Sequence, residues 1–270
     1  MAEKAESVWL GPARRPMRLV MLAGALCTGA MVLLLVLGQF FFDTGVTLRA
    51  FLSPADKPLV LVTMIAGTVA LLSASIYLSD TRGAIESEPA GFFDIVSLVC
   101  SRLAMIATAA IVVVMFYEVV SRYVFQKPTL WANELSLWIA GFVFLLSGLY
   151  AMQQRSHIRI YVVYDLFPRR LQQLSDIASV ILIWVFTVLL IWGGYNEARD
   201  KLLRWETFGT AWDPPIPATI KPAILVIVAL VALQALSNLI ADWNKLPEHH
   251  TPLDEIDEAE IDDIRKSIGE

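Results

Sequence analysis

Residues 118–157 read EVVSRYVFQKPTLWANELSLWIAGFVFLLSGLYAMQQRSH, and this stretch decides the fold. Charged residues stand near both of its ends, and the run from Leu135 to Gln154 contains none. A hydrocarbon core about 30 Å thick is crossed by roughly 20 apolar residues of a helix that rises about 1.5 Å per residue. The stretch therefore predicts a membrane-spanning helix whose depth in a bilayer is fixed by its flanking charges.

Similar apolar runs recur through most of the 270-residue chain. Hydrophobic residues make up 57% and charged residues only 17%, whereas a soluble domain is about a quarter charged. The runs are unbroken and too long for barrel strands, so they are predicted to be helices. The fold class is thus an all-α integral membrane protein with about six transmembrane helices. The predicted spans are residues 17–42, 58–79, 95–117, 131–152, 177–195 and 222–241.

The distribution of positive charge predicts the orientation of these spans. Thirteen lysines and arginines fall on the side that holds both termini and eight on the other. Because cytoplasmic loops are enriched in these residues, both termini are predicted to be cytoplasmic. The acidic tail, residues 244–270, contains nine acids and three bases and accounts for the net charge of −5. The remainder is close to neutral, which argues against nucleic acid as a partner.

Two segments that connect the spans contain charged residues and are predicted to be helical. Residues 159–176 mix apolar and basic side chains and predict an interfacial amphipathic helix between spans four and five. After span five the helix is predicted to continue, with pairs Glu197–Lys201 and Asp200–Arg204.

The prolines of WDPPIPATIKP, residues 212–222, are then predicted to break the helix. The resulting elbow is either a plain solvated loop or a docking surface for an external protein. The candidate docking residues are Arg204, Trp205, Trp212, Asp213, Pro214 and Pro215.

The fourth span carries one continuous seam of residues at helical spacing. Its glycines would let another helix approach closely, either from this subunit or from a partner. The seam consists of Glu134, Trp138, Gly141, Leu145, Gly148, Met152 and Arg155. On the sixth span, Gln234 and Asn238 share a face and predict interhelical hydrogen bonds.

Charged residues gather at the short connection between spans three and four. Glu118 and Arg122 lie one helical turn apart, and Glu134 opens the fourth span. Because an ionisable group at membrane depth is costly unless paired, Arg122 is expected to bridge one or both acids. A structural clamp is favoured over a proton relay.

The sequence offers little for catalysis or cofactors. Cys27 and Cys100 lie in separate spans without neighbouring histidines, so neither a disulfide nor a metal site is expected. His157 lacks a second intramembrane histidine to share a haem and is assigned a hydrogen-bonding or headgroup-contacting role. Neither an enzymatic motif nor a cofactor site is expected.

The segments YEVVSRYVF, WANELSLW, QRSHIRI and LFP, in this order, resemble the DctQ-type small membrane subunit of tripartite ATP-independent periplasmic (TRAP) transporters. The resemblance covers about residues 92–243, the four-helix core. It leaves residues 1–91 as an N-terminal extension with two additional spans. The positions that match the family pattern are Glu118, Arg122, Glu134, Arg155 and His157.

The resemblance implies a non-catalytic scaffold in the bacterial inner membrane. Its partners would be the lipid bilayer, a large membrane subunit that carries solute and sodium, and a periplasmic protein that captures a carboxylate-type solute. The small subunit would brace the large one and help receive the binding protein. The alternatives are a self-contained channel or transporter and the membrane anchor of a redox enzyme.

Overall fold

A computed structural model describes residues 7–42, 48–52, 57–81, 83, 86, 89, 91–155, 164 and 167–243. Six long helices account for most of these residues. All six are long and apolar enough to cross a membrane, and no strand occurs within the described ranges. The predicted all-α membrane fold is confirmed. The helices are α1 (Arg14–Phe42), α2 (Pro58–Ser79), α3 (Phe92–Tyr123), α4 (Ala132–Gln153), α5 (Arg169–Leu203) and α6 (Ile216–Asp242).

Several helices extend beyond the predicted apolar windows. Helices α3 and α5 contain 32 and 35 residues, whereas roughly 20 residues suffice to cross the hydrocarbon. Helix α5 begins directly after Pro168, so residues 169–176 of the expected interfacial segment form its first two turns. Residues 159–163, 165 and 166 of that segment lie outside the described ranges, as does the acidic tail.

The predicted proline break is shorter than expected. Helix α6 begins at Ile216, six residues before the predicted start, and includes Pro217 and Pro222. The N–H groups of a first helical turn have no intrahelical partner, so Pro217 removes nothing there. The non-helical elbow is therefore confined to the residues before Ile216.

The helices pack side by side in the order α1, α2, α3, α4, α6, α5, with an additional contact between α3 and α6. A Cβ atom added at Gly24 of α1 would lie 3.2 Å from the Cα atom of Ala70 on α2. Glycine thus permits a close approach of the two N-terminal helices. The extension joins the other helices chiefly through the contact of α2 with α3.

Asp80 joins residues 7–14 to the end of α2. Its carboxylate is fully buried and accepts hydrogen bonds from the Ser7 hydroxyl at 2.9 Å and the Trp9 and Leu10 N–H groups at 2.9 and 2.8 Å. The Arg14 guanidinium lies 3.4 Å from its second oxygen. We call this end of the molecule, where α1 begins and α6 ends, the proximal end, and the opposite one the distal end.

Glu86 ties the segment between α2 and α3 to two helices of the predicted core. It accepts hydrogen bonds from Arg102 of α3 at 2.6 Å, the Tyr150 hydroxyl of α4 at 2.8 Å and the Gly83 N–H at 2.7 Å. Burial raises the pKa of its carboxyl, but the bonds from Arg102, Gly83 and Tyr150 outweigh burial and hold the pKa below its ordinary value of 4.5. The ionised carboxylate therefore stabilises the attachment of the extension.

Replacing Glu86 by glutamine is expected to lower the stability of the full chain at neutral pH by about 1–3 kcal/mol, because Arg102 then faces a neutral amide instead of a carboxylate. Since the folded-state pKa lies below the unfolded one, this stabilisation is complete above pH 4.5 and is lost as the pH falls through the folded value. Thermal melts in detergent across pH should show the difference between wild type and variant shrinking in acid. Asp200→Asn is the control, because Asp200 pairs with Arg204 on the exposed surface, where ion pairs contribute little to stability. A difference unchanged in acid contradicts the assignment.

Candidate functional site

Glu118 organises the connection between α3 and α4 at the distal end. It is buried, and its Oε1 atom accepts hydrogen bonds from Arg122 Nε at 2.9 Å and Nη2 at 2.5 Å. Its Oε2 atom accepts bonds from the Thr129 hydroxyl and from the Thr129 N–H, the latter at 3.0 Å. Both oxygens are thus engaged. The cluster joins the last turn of α3 to the loop that leads into α4.

Glu134 has different partners. Its Oε2 atom accepts a hydrogen bond from the Thr210 hydroxyl at 2.7 Å and from the Asp213 N–H at 3.2 Å. Of the three charged residues expected to meet, the structure pairs Glu118 with Arg122 and directs Glu134 to the loop between α5 and α6. Thr129 satisfies the second oxygen of Glu118 instead. Glu134 therefore links α4 to a segment nearly 80 residues away in sequence.

Residues 204–215, here called the α5–α6 loop, form a folded cap rather than an open linker. Trp205 and Asp213 have φ angles of 48° and 63°, which cost energy in a residue with a side chain and persist only where surrounding contacts hold them. The Asp213 carboxylate accepts a bond from the Gly209 N–H at 2.7 Å. Together with the bond from Asp213 to Glu134, these contacts fix the loop conformation.

The predicted docking residues separate into buried and exposed members. Trp212 is buried against Trp138, with ring centroids 6.5 Å apart, and Pro214 and Pro215 are also buried. The assignment of these three to a docking surface is corrected, because they anchor the loop on α4 and α6. Arg204 and Trp205 are exposed.

Phe208 is also exposed and was missed by the sequence analysis. In the sequence Phe208 stands between polar residues, and this pattern could have identified it as an exposed aromatic side chain. The large side chains that the loop exposes are thus those of Arg204, Trp205 and Phe208.

The predicted seam of α4 faces α6 at several levels. The Trp138 Nε1–H donates to the Thr219 hydroxyl at 2.8 Å, and a Cβ atom at Gly141 would lie 2.9 Å from Cδ1 of Ile220. Near the proximal end, Arg155 holds Asp242 through two bonds of 2.5 and 2.9 Å. Packing within the subunit therefore uses most of the seam. Gly148 differs, since a Cβ atom there would meet nothing within 4 Å.

A buried amide network joins α3, α4 and α6 near the proximal end. Gln234 is fully buried; its amide donates to Asp94 at 2.5 Å and to Asn238 at 2.9 Å, and its oxygen accepts from Ser97 at 2.9 Å. The Asn238 amide donates to the Met152 carbonyl at 2.7 Å. The predicted interhelical role of Gln234 and Asn238 is confirmed.

The buried polar side chains described above attach helices and loops to one another through hydrogen bonds. Each buried carboxylate of the described chain, Asp80, Glu86, Asp94 and Glu118, accepts hydrogen bonds from neighbouring side chains or backbone. Within the described ranges no group of three or more histidine, cysteine or acidic side chains is arranged to hold a metal ion. His157, a predicted site residue, lies outside them.

Comparison with known proteins adds the family context. A model of the family described as tripartite ATP-independent periplasmic transporters, DctQ component, matches residues 111–245. This range begins in the middle of α3 and contains α4, α5 and α6 in full. No solved structure matches the chain.

Two curated relatives are similar to part of the chain. The C4-dicarboxylate TRAP transporter small permease protein DctQ of Vibrio cholerae is 28% identical over 114 residues, 40% of this chain and 46% of the relative. The sialic acid TRAP transporter permease protein SiaT of Haemophilus influenzae is 24% identical over 126 residues, 47% of this chain and 20% of the relative. The chain thus spans less than half the length of each of these relatives.

Gly141→Leu is expected to destabilise the isolated chain by about 1–3 kcal/mol, because the new side chain overpacks the contact with Ile220 and separates α4 from α6. Gly148→Leu is the matched control, since it makes the same change on the same helix at a position where an added Cβ atom meets nothing within 4 Å. Thermal unfolding in detergent, followed by tryptophan fluorescence, measures both. Equal melting temperatures for the two variants would contradict the conclusion that the seam packs α4 against α6 within this subunit.

Proposed function

The chain belongs to the DctQ component family of the tripartite ATP-independent periplasmic transporters, and we propose that it is the non-catalytic scaffold subunit of a sodium-gradient-driven importer. As a member of this family it is a transporter component and not an enzyme. In this role it braces a large membrane subunit that carries the solute. The observation that carries the proposal is the matched region itself, where polar side chains attach helices to one another.

The continuity of the helices supports a bracing role. Transport sites for ions and small solutes are typically built at discontinuous helices near the middle of the bilayer. Each of the six described spans is instead a continuous helix, and the buried ion pairs lie at or toward the helix ends. A self-contained transporter would need a polar pathway between these ends, and the continuous apolar spans do not favour one.

The division into domains follows the attachments. We assign residues 1–91 to an N-terminal extension, which Asp80 joins internally and Glu86 attaches to the core, residues 92–243 to the small-subunit core, and residues 244–270 to an acidic tail. The chain is placed in the bacterial inner membrane with both termini in the cytoplasm. The distal end then faces the periplasm.

In this orientation the α5–α6 loop is a contact site for the periplasmic substrate-binding protein. Its exposed residues Arg204, Trp205 and Phe208 offer the aromatic and guanidinium groups that commonly carry binding energy at protein interfaces. Its buried anchor and the bonds to Glu134 keep this surface in one conformation. Preorganisation of this kind reduces the entropy lost on binding.

The solute is expected to carry a carboxylate. C4-dicarboxylates and sialic acid, which appear in the names of the two relatives, share this group. Recognition of the solute is assigned to the binding protein and the large subunit. The small subunit would then contribute to assembly and docking rather than to solute choice.

Deleting the chain is expected to reduce sodium-driven uptake to background, because the large subunit loses its brace. Uptake should be measured in proteoliposomes that contain the large subunit and are supplied with the binding protein, with and without this chain, and co-purification should be scored in mild detergent. Adding the chain back is the control. Full uptake by the large subunit and binding protein alone would refute the scaffold role.

Replacing Glu134 by alanine is expected to weaken docking of the binding protein by about tenfold, since the α5–α6 loop loses two hydrogen bonds. Co-purification of the large subunit should be unchanged. Glu197→Ala is the matched control, because Glu197 pairs with Lys221 rather than with the loop. Affinity measured on the assembled complex tests this, and a Glu134→Ala complex that docks like wild type counts against the loop as a contact site.

A further inference from the structure

Helix α5 ends the row of helices and packs mainly against α6. Thr187 and Ala198 are buried on the side that faces α6, where a Cβ atom added at Gly194 would lie 3.3 Å from Cδ2 of Leu225. On the opposite side, residues at spacings of three and four are all exposed. This outer face of α5 consists of Leu174, Ala178, Ile181, Val185, Leu189, Trp192, Asn196, Arg199 and Leu203.

The outer face of α5 is longer than the hydrocarbon core of a bilayer is thick. Residues Ile177 to Asn196 include no charged residue, and their length matches a core about 30 Å thick. Leu203 lies about 10 Å beyond Asn196 at about 1.5 Å per residue, past a headgroup layer that is about 5–8 Å thick. Its side chain is 70% exposed. The outer face therefore presents apolar side chains both at the depth of the hydrocarbon and in the water beyond the headgroups.

Neither lipid nor a soluble protein covers the whole of this face. Lipid chains reach Leu189 and Trp192 but not Leu203, because Leu203 lies outside the hydrocarbon. A soluble protein reaches Leu203 but not the residues at hydrocarbon depth. A membrane protein that also has a part outside the bilayer covers both.

The position of the α5–α6 loop indicates which membrane protein this is. Leu203 directly precedes the loop, which is the proposed contact site of the binding protein. The binding protein has to deliver its solute to the large subunit, so the two must lie next to each other. Helix α5 is at the end of the row that carries this loop, whereas α1 is at the other end and lies outside the region that matches the family.

We propose that the outer face of α5 is the surface that binds the large membrane subunit. The inference rests on the proposed scaffold function and adds the helix through which it acts. The partner surface is apolar at hydrocarbon depth, continues over Leu203 and has an acidic group opposite Arg199, the charged member of the face. Trp192 is 85% exposed, and tryptophan is a residue that often carries binding energy at interfaces.

The proposal is tested in the full complex, with a photo-reactive p-benzoylphenylalanine placed at one exposed position at a time. Illumination in the membrane, followed by mass spectrometry, identifies the molecule that becomes joined to this chain. Leu189 and Leu203 are both expected to give an adduct with the large subunit, because both lie on the outer face. Leu26 of α1, which is 74% exposed at the other end of the row, is the control and is expected to give none.

Leu203→Glu tests the part of the face outside the bilayer. A carboxylate buried against an apolar partner costs free energy, so the amount of large subunit that co-purifies in mild detergent is expected to fall about tenfold. Leu130→Glu is the matched control, because Leu130 is 69% exposed and lies just before α4 at the same end of the molecule. It is expected to leave co-purification unchanged.

Four outcomes overturn the proposal. An adduct of the large subunit with Leu26 but not with Leu189 moves the contact to another helix, and equal effects of Leu203→Glu and Leu130→Glu remove the specific role of Leu203. An adduct at Leu189 with lipid alone shows a lipid-facing edge, and one with a second copy of this chain shows a dimer contact. In all four cases the wild-type chain still co-purifies with the large subunit and the scaffold function stands. Absence of that co-purification would instead refute the scaffold function itself.

Discussion

The hydrocarbon core of a bilayer supplies no hydrogen-bond partner, and this constraint governs where polar groups can lie in the chain. Backbone groups are satisfied within the six helices, and buried charges must be paired or displaced toward the membrane surfaces. The structure follows both routes. Glu118 with Arg122 lies near the distal end, and Asp80, Glu86 and Asp94 lie toward the proximal end. Between these ends, packing of apolar and small residues holds the helices side by side.

The two ends use their polar groups differently. At the proximal end, Asp80, Glu86 and Gln234 join segments 64–140 residues apart in sequence, so they determine which helices are neighbours. At the distal end, Glu118 closes a local connection, while Glu134 holds the α5–α6 loop. Because the proximal contacts hold the helices together, the distal loop can differ in sequence without loss of the helix arrangement.

Local features of this fold could be predicted from the sequence, and long-range ones could not. Hydropathy and helix length predict six spans, and the four-residue spacing of Glu118 and Arg122 predicts their contact. The partners of Glu134 are 76 and 79 residues away, and helical periodicity contains no information about them. For the same reason Trp212 was predicted at a docking surface, although its indole packs against Trp138 and is buried. An aromatic residue in a loop has the same sequence signature whether it anchors the loop or faces a partner.

The order of helix packing also explains how two additional spans are compatible with the family core. Helix α1 packs on α2, and α2 packs on α3, whereas α5 lies at the opposite end of the row, against α6. The family match begins within α3 and contains the helices on the α5 side in full. The extension therefore widens the row beside α3, while the α5–α6 loop lies in the other half. Side-by-side packing in which each helix is held mainly by its neighbours allows such growth at one edge, because the contacts among α4, α5 and α6 do not depend on what is attached to α3.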